Sequence, residues 1–183
     1  PKGANVTLTN TSTLPSVASI KRKIIGNILS SGEYSSIIGD IVSKRYSNMD
    51  IASFLVASGS FMTSPEVLSM TEAMVGDKII NWDKEDMVVD HHSRGGVPGN
   101  KTDLIITPIV AAYGLAIPKT ASRSLTSCAG VADTMNVLCD VDLDEKDLKK
   151  VIEETRGAVV SYEYLGVSEA TAIISGVERN IGI

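Results

Sequence analysis

The chain has 183 residues, and 17 Lys and Arg against 22 Asp and Glu give it a formal net charge of −5 at pH 7. This acidic balance disfavours a surface that binds nucleic acid or an anionic membrane, and an aromatic content of 4% disfavours base-stacking platforms. Hydrophobic residues at 43% and charged residues at 21% are typical of a globular protein with a buried core. The length predicts one domain or two small ones.

No segment of the sequence predicts a membrane span or an export signal. The longest uncharged apolar stretch, residues 104–118, is interrupted by Pro108 and Gly114 and is shorter than the ~20 residues that a bilayer requires. Residues 1–16 lack the apolar region of a signal peptide and begin without Met, so we interpret the start as a cut end. We therefore expect a cytoplasmic protein.

Four helices are predicted in the amino-terminal part, because apolar residues recur there at helical spacing. The first covers residues 15–31 and ends at Gly32, and the second covers residues 34–45. Asp50 is the predicted N-cap of the third, and Thr63-Ser-Pro-Glu66 is a capping box that begins the fourth. The apolar residues predicted to face inward are Val17, Ile20, Ile24, Ile25, Ile28, Leu29, Tyr34, Ile37, Ile38, Ile41, Val42, Ile51, Phe54, Leu55, Val67, Leu68, Met70, Met74 and Val75.

From Asn81 onward, short apolar runs alternate with glycine-rich loops and helices. In chain order we predict a strand at 87–89, a loop at 90–102, a largely buried helix at 104–115 interrupted at Pro108, a strand at 115–118, a loop at 120–133 and a short helix from Met135. A charged helix at 144–156 follows, with Leu148, Val151 and Ile152 facing inward, and Gly157 stops it before a strand at 158–160. Such alternation predicts an α/β fold with a partly parallel sheet. The expected architecture is an N-terminal helical bundle domain, residues 1–80, joined to the start of a mixed, partly parallel α/β domain, residues 81–183.

Two loops, each after a predicted strand, hold the residues best suited to bind an anion. Ligands of open α/β sheets bind beyond the carboxyl ends of the strands, so both loops should face one crevice. The first loop offers a hydroxyl, backbone N–H groups and a helix N-terminus, which suit phosphate, or else its glycines only shape a turn. These groups belong to Ser93, Gly95, Gly96, Gly99 and Asn100.

The second loop adds hydroxyls and one cation. Its hydroxyl residues are Ser122, Ser124, Thr126 and Ser127. Arg123 has two alternatives, since a guanidinium pairs equally well with a phosphate or with a nearby carboxylate.

The histidines and cysteines do not predict a metal site. His91 and His92 are adjacent in an extended segment and point in opposite directions, and Cys128 and Cys139 lie in separate contexts. A Ser/His/Asp triad from Ser93, His92 and Asp133 is arithmetically possible, but no nucleophile elbow frames the serine. We expect His92 to be structural and no metal to be bound.

A series of motifs in chain order is similar to one known family. Its helical part is Ala52-Ser-Phe-Leu-Val-Ala57, Met62-Thr63 and Met70-Thr-Glu-Ala-Met-Val75, and its loop part is Val89-Asp-His-His-Ser-Arg-Gly-Gly-Val97. These resemble the pyrimidine-nucleoside and AMP phosphorylases of the phosphoribosyltransferase-like superfamily. Three further motifs resemble the AMP branch more than the thymidine branch, namely Pro98-Gly-Asn-Lys-Thr102, Ile117-Pro-Lys-Thr120 with Ser122-Arg123, and Thr126-Ser127 with Ala129-Gly130 and Ala132-Asp-Thr-Met135.

This resemblance implies a glycosyltransferase, specifically a pentosyltransferase, that performs phosphorolysis. Orthophosphate attacks C1′ of the ribose and the base leaves, so AMP and phosphate yield adenine and ribose 1,5-bisphosphate. The family needs no metal or organic cofactor, uses inorganic phosphate as co-substrate, and forms homo-oligomers through its helical domain. The implied partners are thus a nucleotide or nucleoside and phosphate, without nucleic acid or membrane.

The resemblance also implies site residues. Asp133 is the candidate catalytic acid. The candidate phosphate- and substrate-binding residues are His91, Ser93, Gly95, Gly96, Gly99, Asn100, Lys101, Ser122, Arg123, Thr126 and Ser127.

Four departures from the family pattern favour an alternative. His91 replaces a lysine, Asp103 a hydroxyl residue and Val131 a threonine, while residues 161–166 replace a tryptophan-glycine-glycine segment. The family's base-binding serine and lysine would lie beyond the last residue, so the α/β domain is expected to be incomplete. The alternative is a truncated or degenerate relative that acts as a non-catalytic oligomerisation and anion-binding module. An anthranilate-phosphoribosyltransferase-like enzyme ranks last, because the acidic motif of a magnesium-pyrophosphate site is missing.

Overall fold

A computed structural model describes residues 14–76, 78–92, 101–125 and 128–182. The helices and strands of these residues, in chain order, are α1 (Pro15–Ile24), α2 (Ser31–Val42), α3 (Asn48–Phe61), α4 (Ser64–Val75), α5 (Asp103–Ala112), β1 (Ile117–Ala121), α6 (Val131–Met135), α7 (Glu145–Thr155), β2 (Gly157–Ser161), α8 (Tyr162–Leu165) and α9 (Glu169–Ile181). None of the helices in these ranges has the length and apolarity needed to cross a bilayer. Helices followed by parallel strands confirm the predicted fold class.

The chain divides into two compact units, one up to Met70 and one from Thr71 onward. In the first unit α1 packs against α2 and α3. The core of this unit is formed by apolar residues predicted to face inward, with Ile20, Tyr34, Ile37, Ile38, Ile41, Ile51, Phe54 and Leu55 all buried. Helical periodicity therefore locates most of this core correctly.

A buried carboxylate joins three segments of the first unit. Glu66 Oε1 accepts hydrogen bonds from Lys23 Nζ at 2.6 Å, the Leu29 backbone N–H at 2.9 Å and the Tyr34 hydroxyl at 3.0 Å. Its Oε2 accepts from the backbone N–H and the hydroxyl of Thr63, both at 2.9 Å. Glu66 thus completes the cap predicted from the Thr63-to-Glu66 spacing and also holds a buried cation.

The end of the first helix was predicted wrongly. Helix α1 ends at Ile24, because Gly26 adopts a φ of +85° that breaks the helical path. Gly32 lies inside α2 instead of stopping a helix. As a result Ile25 and Ile28, predicted to face inward, are 76% and 64% exposed.

Two details of α3 and α4 also differ from the prediction. The N-cap of α3 is Ser47, and Asp50 is its capping-box partner instead of the cap. Along α4, Val67 and Leu68 are exposed, whereas Glu66 is the buried position. A charged residue takes the inward position here because its partners satisfy it fully.

The second unit contains a parallel pair of strands. β1 and β2 run in register from Ile117 opposite Gly157 to Ala121 opposite Ser161. Val88 adds an isolated parallel bridge to Ala116, so the predicted strand at 87–89 is reduced to one bridge. The carboxyl ends of these segments therefore lie along one edge, as predicted from the alternation of elements.

Helices cover both faces of this strand pair. Leu148 and Ile152 of α7 pack with Ala158 and Val160 on one face, which confirms the predicted inward side of α7. On the other face α6 contributes Ala132 to a cluster with Ala121, Val141 and Val159.

Helix α5 lies very close to β2. A Cβ at Gly157 would come within 2.8 Å of the Ala111 Cβ, so only glycine fits at the start of this strand. Helix α7, which precedes β2, ends at Thr155, and its C-cap Arg156 adopts a left-handed φ of 67°.

Several predicted elements of the second unit are shifted. Pro108 lies within α5 and does not interrupt it, and α5 buries only Asp103 and Thr107 instead of being largely buried. β1 begins two residues later than the strand predicted at 115–118, and α6 begins at Val131, so Asp133 is helical. Helices α8 and α9 were not predicted.

Arg156 stabilises the amino-terminal side of the strands by hydrogen bonds. Its guanidinium donates to Glu85 Oε2 at 2.5 Å and to the Gly114 carbonyl at 3.3 Å. Its own carbonyl accepts from the Ile117 N–H at 2.8 Å. Three segments that are distant in sequence thus meet at one residue.

Candidate functional site

The two predicted anion-binding loops approach each other. Lys101, just before α5, donates from Nζ to the carbonyl of Ala129 in the second loop at 2.5 Å. This contact agrees with the expectation that both loops face one crevice. The predicted binding residues Ser93, Gly95, Gly96, Gly99, Asn100, Thr126 and Ser127 lie outside the described residues.

His91, near the start of the first loop, contacts Asp103, which directly follows that loop. His91 Nδ1 is 2.5 Å from Asp103 Oδ1, the Asp103 side chain is 1% exposed and that of His91 is 33% exposed. Asp103 is the first residue of α5, where the helix dipole favours a negative charge. The two departures that the sequence analysis treated separately therefore form one hydrogen-bonded pair.

Asp133 organises the second loop. Its Oδ2 accepts the backbone N–H of Ser124 at 2.7 Å and that of Gly130 at 2.8 Å. Burial alone would raise the pKa of Asp133, but these two N–H donors and the Arg123 guanidinium lower it below its usual value. These contacts indicate that Asp133 is ionised and holds the second loop closed. The assignment of Asp133 as a catalytic acid stays a prediction.

Arg123 was predicted to pair either with a phosphate or with a carboxylate, and in the structure it pairs with carboxylates. One of its terminal nitrogens lies 2.7 Å and 2.8 Å from the two Asp142 oxygens, and the other lies 3.4 Å from Asp133 Oδ1. The hydrogen bond to Asp142 raises the pKa of Arg123 further, so it remains a cation. The two aspartates neutralise much of the positive charge that Arg123 would offer to a phosphate. Phosphate binding by Arg123 stays a prediction.

The backbone of the second loop is tightly packed at Gly130. A Cβ there would lie 2.3 Å from the Ser122 carbonyl oxygen and 2.7 Å from the Arg123 carbonyl carbon. The Ser122 carbonyl also accepts the Ala132 N–H at 3.3 Å. Ser122 therefore contributes its backbone to loop closure, and glycine at 130 permits it.

A buried cation, Lys119, was not among the predicted site residues. Lys119 is 3% exposed on β1 and donates to the Thr120 carbonyl at 2.5 Å. By register it shares a face of the strands with Val159 and Ser161. The signal was present, since alternation along β1 places Lys119 on the same face as the buried Ile117.

Two buried hydroxyl groups on the Lys119 face of the strand pair lack a hydrogen-bond partner among the described residues. Ser161 is fully buried and Thr107 is 5% exposed, and within the described part of the chain neither side-chain oxygen has a hydrogen-bond partner. Thr107 belongs to α5, which packs on β2. Ser161 ends β2 at the carboxyl edge and shares a face with Lys119, whereas Thr107 lies beside Gly157 at the amino-terminal end of β2.

The second histidine lies apart from this group. His92 Nε2 is 2.6 Å from Asp90 Oδ2, and both side chains are exposed. Across the ranges that the structure covers, no group of three or more His, Cys, Asp or Glu side chains is arranged to hold a metal ion. Among the described residues, Lys101 and Lys119 are the lysines near the carboxyl edge, each donating to a backbone carbonyl, and the binding of an anion there stays a prediction.

Two family models match the chain in the order of its two parts. Residues 17–76 match the helical bundle domain of a glycosyl transferase family, and residues 85–183 match the α/β domain of the same family.

Curated relatives match over nearly all of the chain. A bifunctional ribose 1,5-bisphosphokinase-thymidine phosphorylase of Azorhizobium caulinodans is 43% identical over 186 residues, covering 100% of this chain and 26% of the relative. Putative thymidine phosphorylases of Nitrobacter hamburgensis and Rhodopseudomonas palustris are 40% and 43% identical, each covering 100% of this chain and 36% of the relative. The chain spans about a third or less of the length of these relatives.

A solved structure shares the fold. Anthranilate phosphoribosyltransferase from Thermus thermophilus matches with a TM-score of 0.64 at 23% identity, over 90% of this chain and 51% of that one. The relationship expected from the motifs is confirmed by the family models and by the phosphorylase relatives. The chain belongs to the glycosyl transferase family that joins a helical bundle domain to an α/β domain.

Proposed function

We propose that the whole protein to which this chain corresponds is a pentosyltransferase that performs phosphorolysis, and that this chain supplies its anion-binding edge. The family and the names of the relatives support transfer of a pentosyl group. Homo-oligomerisation, a cytoplasmic location and independence from metals and organic cofactors remain predictions.

One observation carries this proposal. The Lys101 ammonium, at the end of the first loop, contacts the Ala129 carbonyl in the second loop at 2.5 Å. The loop after the Val88 bridge and the loop after β1 therefore meet, and the buried Lys119 lies on β1. Such an edge suits the binding of one tetrahedral anion.

The proposed reaction needs an anion held in position. An oxygen of orthophosphate forms a bond to C1′ of the pentose while the bond from C1′ to the base nitrogen breaks. The electron pair of that bond stays on the base, which takes up a proton, and the pentose 1-phosphate remains. Positioning the phosphate and stabilising the cation-like sugar supply most of the rate enhancement.

We propose AMP as the substrate, with adenine and ribose 1,5-bisphosphate as products. The motifs around Lys101, Lys119 and Asp133 resemble the AMP branch. The name of one relative joins a thymidine phosphorylase to a ribose 1,5-bisphosphokinase, an activity named for the sugar product of AMP phosphorolysis.

The proposed roles of the residues follow the two loops. Ser93 with the Gly95 and Gly96 amides, together with Ser127, would bind the phosphate oxygens. We propose that Asp133 acts in its ionised form by holding the second loop in shape, since its lowered pKa disfavours a proton donor.

The test is release of free base. The 183-residue chain and the Nitrobacter hamburgensis relative are each incubated with AMP, CMP, uridine or thymidine, with and without phosphate. We expect adenine from AMP only when phosphate is present, with ribose 1,5-bisphosphate identified by ³¹P NMR. Absence of base from all four substrates, while the relative is active, would refute catalysis by this chain.

A non-catalytic module is the second candidate. Large apolar side chains are exposed on the first unit and suit association, among them Ile25, Ile28, Met49 and Leu68. The buried Asp103 carboxylate beside the first loop opposes a second negative charge there. Light scattering after gel filtration tests this candidate, which predicts an oligomer that releases no base and that Ile25→Ser with Ile28→Ser dissociates.

A further inference from the structure

Helix α5 buries its polar residues and exposes its apolar ones. Its two polar residues, Asp103 and Thr107, are both buried. Five apolar residues are exposed and follow the spacing i, i+3, i+4, i+7 and i+8, so they form one continuous face, which we call the outer face of α5. These five residues are Ile105, Pro108, Ile109, Ala112 and the C-cap Tyr113.

Helix α7 of the same unit shows the opposite arrangement. On its exposed side every fourth residue is charged, namely Lys146, Lys150 and Glu154. At the same spacing on α5, Ile105, Ile109 and Tyr113 are 63%, 62% and 85% exposed. A helix that is apolar on its outward side ordinarily has that side covered by other protein.

The close approach of α5 to β2 explains only the inward side of the helix. A Cβ at Gly157 would lie 2.8 Å from the Ala111 Cβ and 3.4 Å from the Thr107 Cγ2, so small side chains are needed between helix and strand. This constraint places no isoleucine or tyrosine on the outside, where lysine and glutamate are the common residues. The outer face therefore requires a partner of its own.

The composition and the size of the outer face indicate the kind of partner. None of its five residues is charged, which is typical of the apolar core of a permanent interface. A stable interface between separate proteins uses about 20–30 residues on each side, far more than this face offers. A second copy of the chain is thus a poor fit, whereas a segment of the same polypeptide avoids most of the entropic cost of association.

The relatives contain the additional polypeptide that such a partner requires. The chain covers 36% of the Nitrobacter hamburgensis relative and 51% of the Thermus thermophilus protein that shares its fold. We propose that the outer face of α5 is a docking surface for an apolar segment from the remainder of the whole protein, the part that these 183 residues do not include. The proposal goes beyond phosphorolysis and holds for any reaction at the two loops.

Photochemical crosslinking in the Nitrobacter hamburgensis relative tests the proposal on a whole protein. The photoreactive amino acid p-benzoylphenylalanine replaces the residue aligned with Ile109, and mass spectrometry identifies the captured peptide. We expect a crosslink within one chain to a peptide outside the region that the 183 residues match. The same amino acid at the position aligned with Lys150 is the matched control and should capture no such peptide.

Thermal unfolding gives a second measurement that does not depend on the crosslinker. Ile105→Ser, Ile109→Ser and Tyr113→Ser together should change the melting temperature of the 183-residue chain by less than about 2 °C, because these side chains contact solvent there. Serine at the three aligned positions of the relative should lower its melting temperature by at least about 10 °C. Serine at the three charged α7 positions should have little effect in either protein.

Every other outcome overturns the proposal. A crosslink between two chains would assign the outer face to a second copy, and a crosslink to the matched region would assign it to elements that this chain already contains. Absence of a crosslink, with serine tolerated in the relative, would leave the face in solvent. A large loss of stability in the 183-residue chain would mean that the face is already packed. Release of base from nucleotides is measured separately, so either proposal can fail while the other holds.

Discussion

The ammonium of Lys23 lies 2.6 Å from the carboxylate of Glu66, and both side chains are inaccessible to solvent. Lys23 Nζ also donates to the carbonyls of Phe61 at 3.0 Å and Asn27 at 3.3 Å, so its three hydrogens are all used. The pair therefore lies at the junction of α1, the end of α3 and the start of α4. Its complete hydrogen bonding offsets the cost of removing two charges from water.

Lys23→Met is expected to destabilise the first unit by about 3–5 kcal/mol, because it leaves the Glu66 charge buried without its cation. Urea unfolding followed by circular dichroism measures this loss. Lys21→Met, on the exposed side of the same helix, is the matched control and should change stability by less than about 0.5 kcal/mol. Equal effects of the two substitutions would contradict a buried pair.

The stability of the first unit should depend on pH through Glu66. Burial opposes ionisation, but hydrogen bonds from Lys23, Leu29 and Thr63 lower the pKa of Glu66 from 4.5 to about 2. A lowered folded-state pKa means that the stabilisation is present above about pH 4.5 and is lost as the pH falls toward 2. The amount is about 3 kcal/mol.

The melting temperature of Glu66→Gln should therefore decrease less than that of the wild type between these pH values. At neutral pH the variant should have the lower melting temperature. Glu72→Gln, an exposed position on the same helix, should leave the slope of the wild type unchanged. A wild-type melting temperature that is constant down to about pH 2 would count against the ion pair.

Gly130→Ala and Gly176→Ala should have opposite effects. A methyl group at 130 would meet backbone atoms at 2.3 Å and 2.7 Å, which cannot move aside, so we expect a loss of about 1–3 kcal/mol. At 176, inside α9, nothing lies within 4 Å, and alanine should stabilise the helix by about 0.5–1 kcal/mol. Thermal unfolding of both variants measures this, and equal shifts would refute the close approach at Gly130.

Asp133→Asn should loosen the second loop. The substitution weakens the acceptor of the Ser124 and Gly130 amides, at a cost of about 1–2 kcal/mol, which corresponds to roughly tenfold faster exchange of these amide hydrogens. Hydrogen exchange followed by NMR reads both sites directly. Asp142→Asn removes the other carboxylate partner of Arg123 and should leave the two amides protected.

Periodicity and capping patterns predicted the elements best where apolar packing decides the structure. The inward side of α7 and the Thr63-to-Glu66 capping box follow from spacing alone. Periodicity failed at Ile25 and Ile28 because the count ran through Gly26, whose positive φ ends the helix. Local backbone conformation overrides periodicity there.

The burial of Lys23 and Asp103 could not be predicted, because it depends on partners that are distant in sequence. The structure places Glu66 beside Lys23 and His91 beside Asp103. For the candidate site, the sequence indicated both loops but not the assignment of Arg123 to a carboxylate. That choice depends on where Asp142 lies once the chain is folded.

The two edges of the strand pair differ, because Arg156 stabilises the amino-terminal edge whereas the carboxyl edge carries the loops. Its bonds to Glu85, Gly114 and Ile117 hold the amino-terminal edge at a single side chain and its backbone. Insertions or deletions in the loops of the opposite edge would leave these hydrogen bonds intact. Loss of the Arg156 side chain would remove its bonds to Glu85 and Gly114 together. The loops can therefore diverge in evolution, and with them the choice of ligand, without loss of strand alignment.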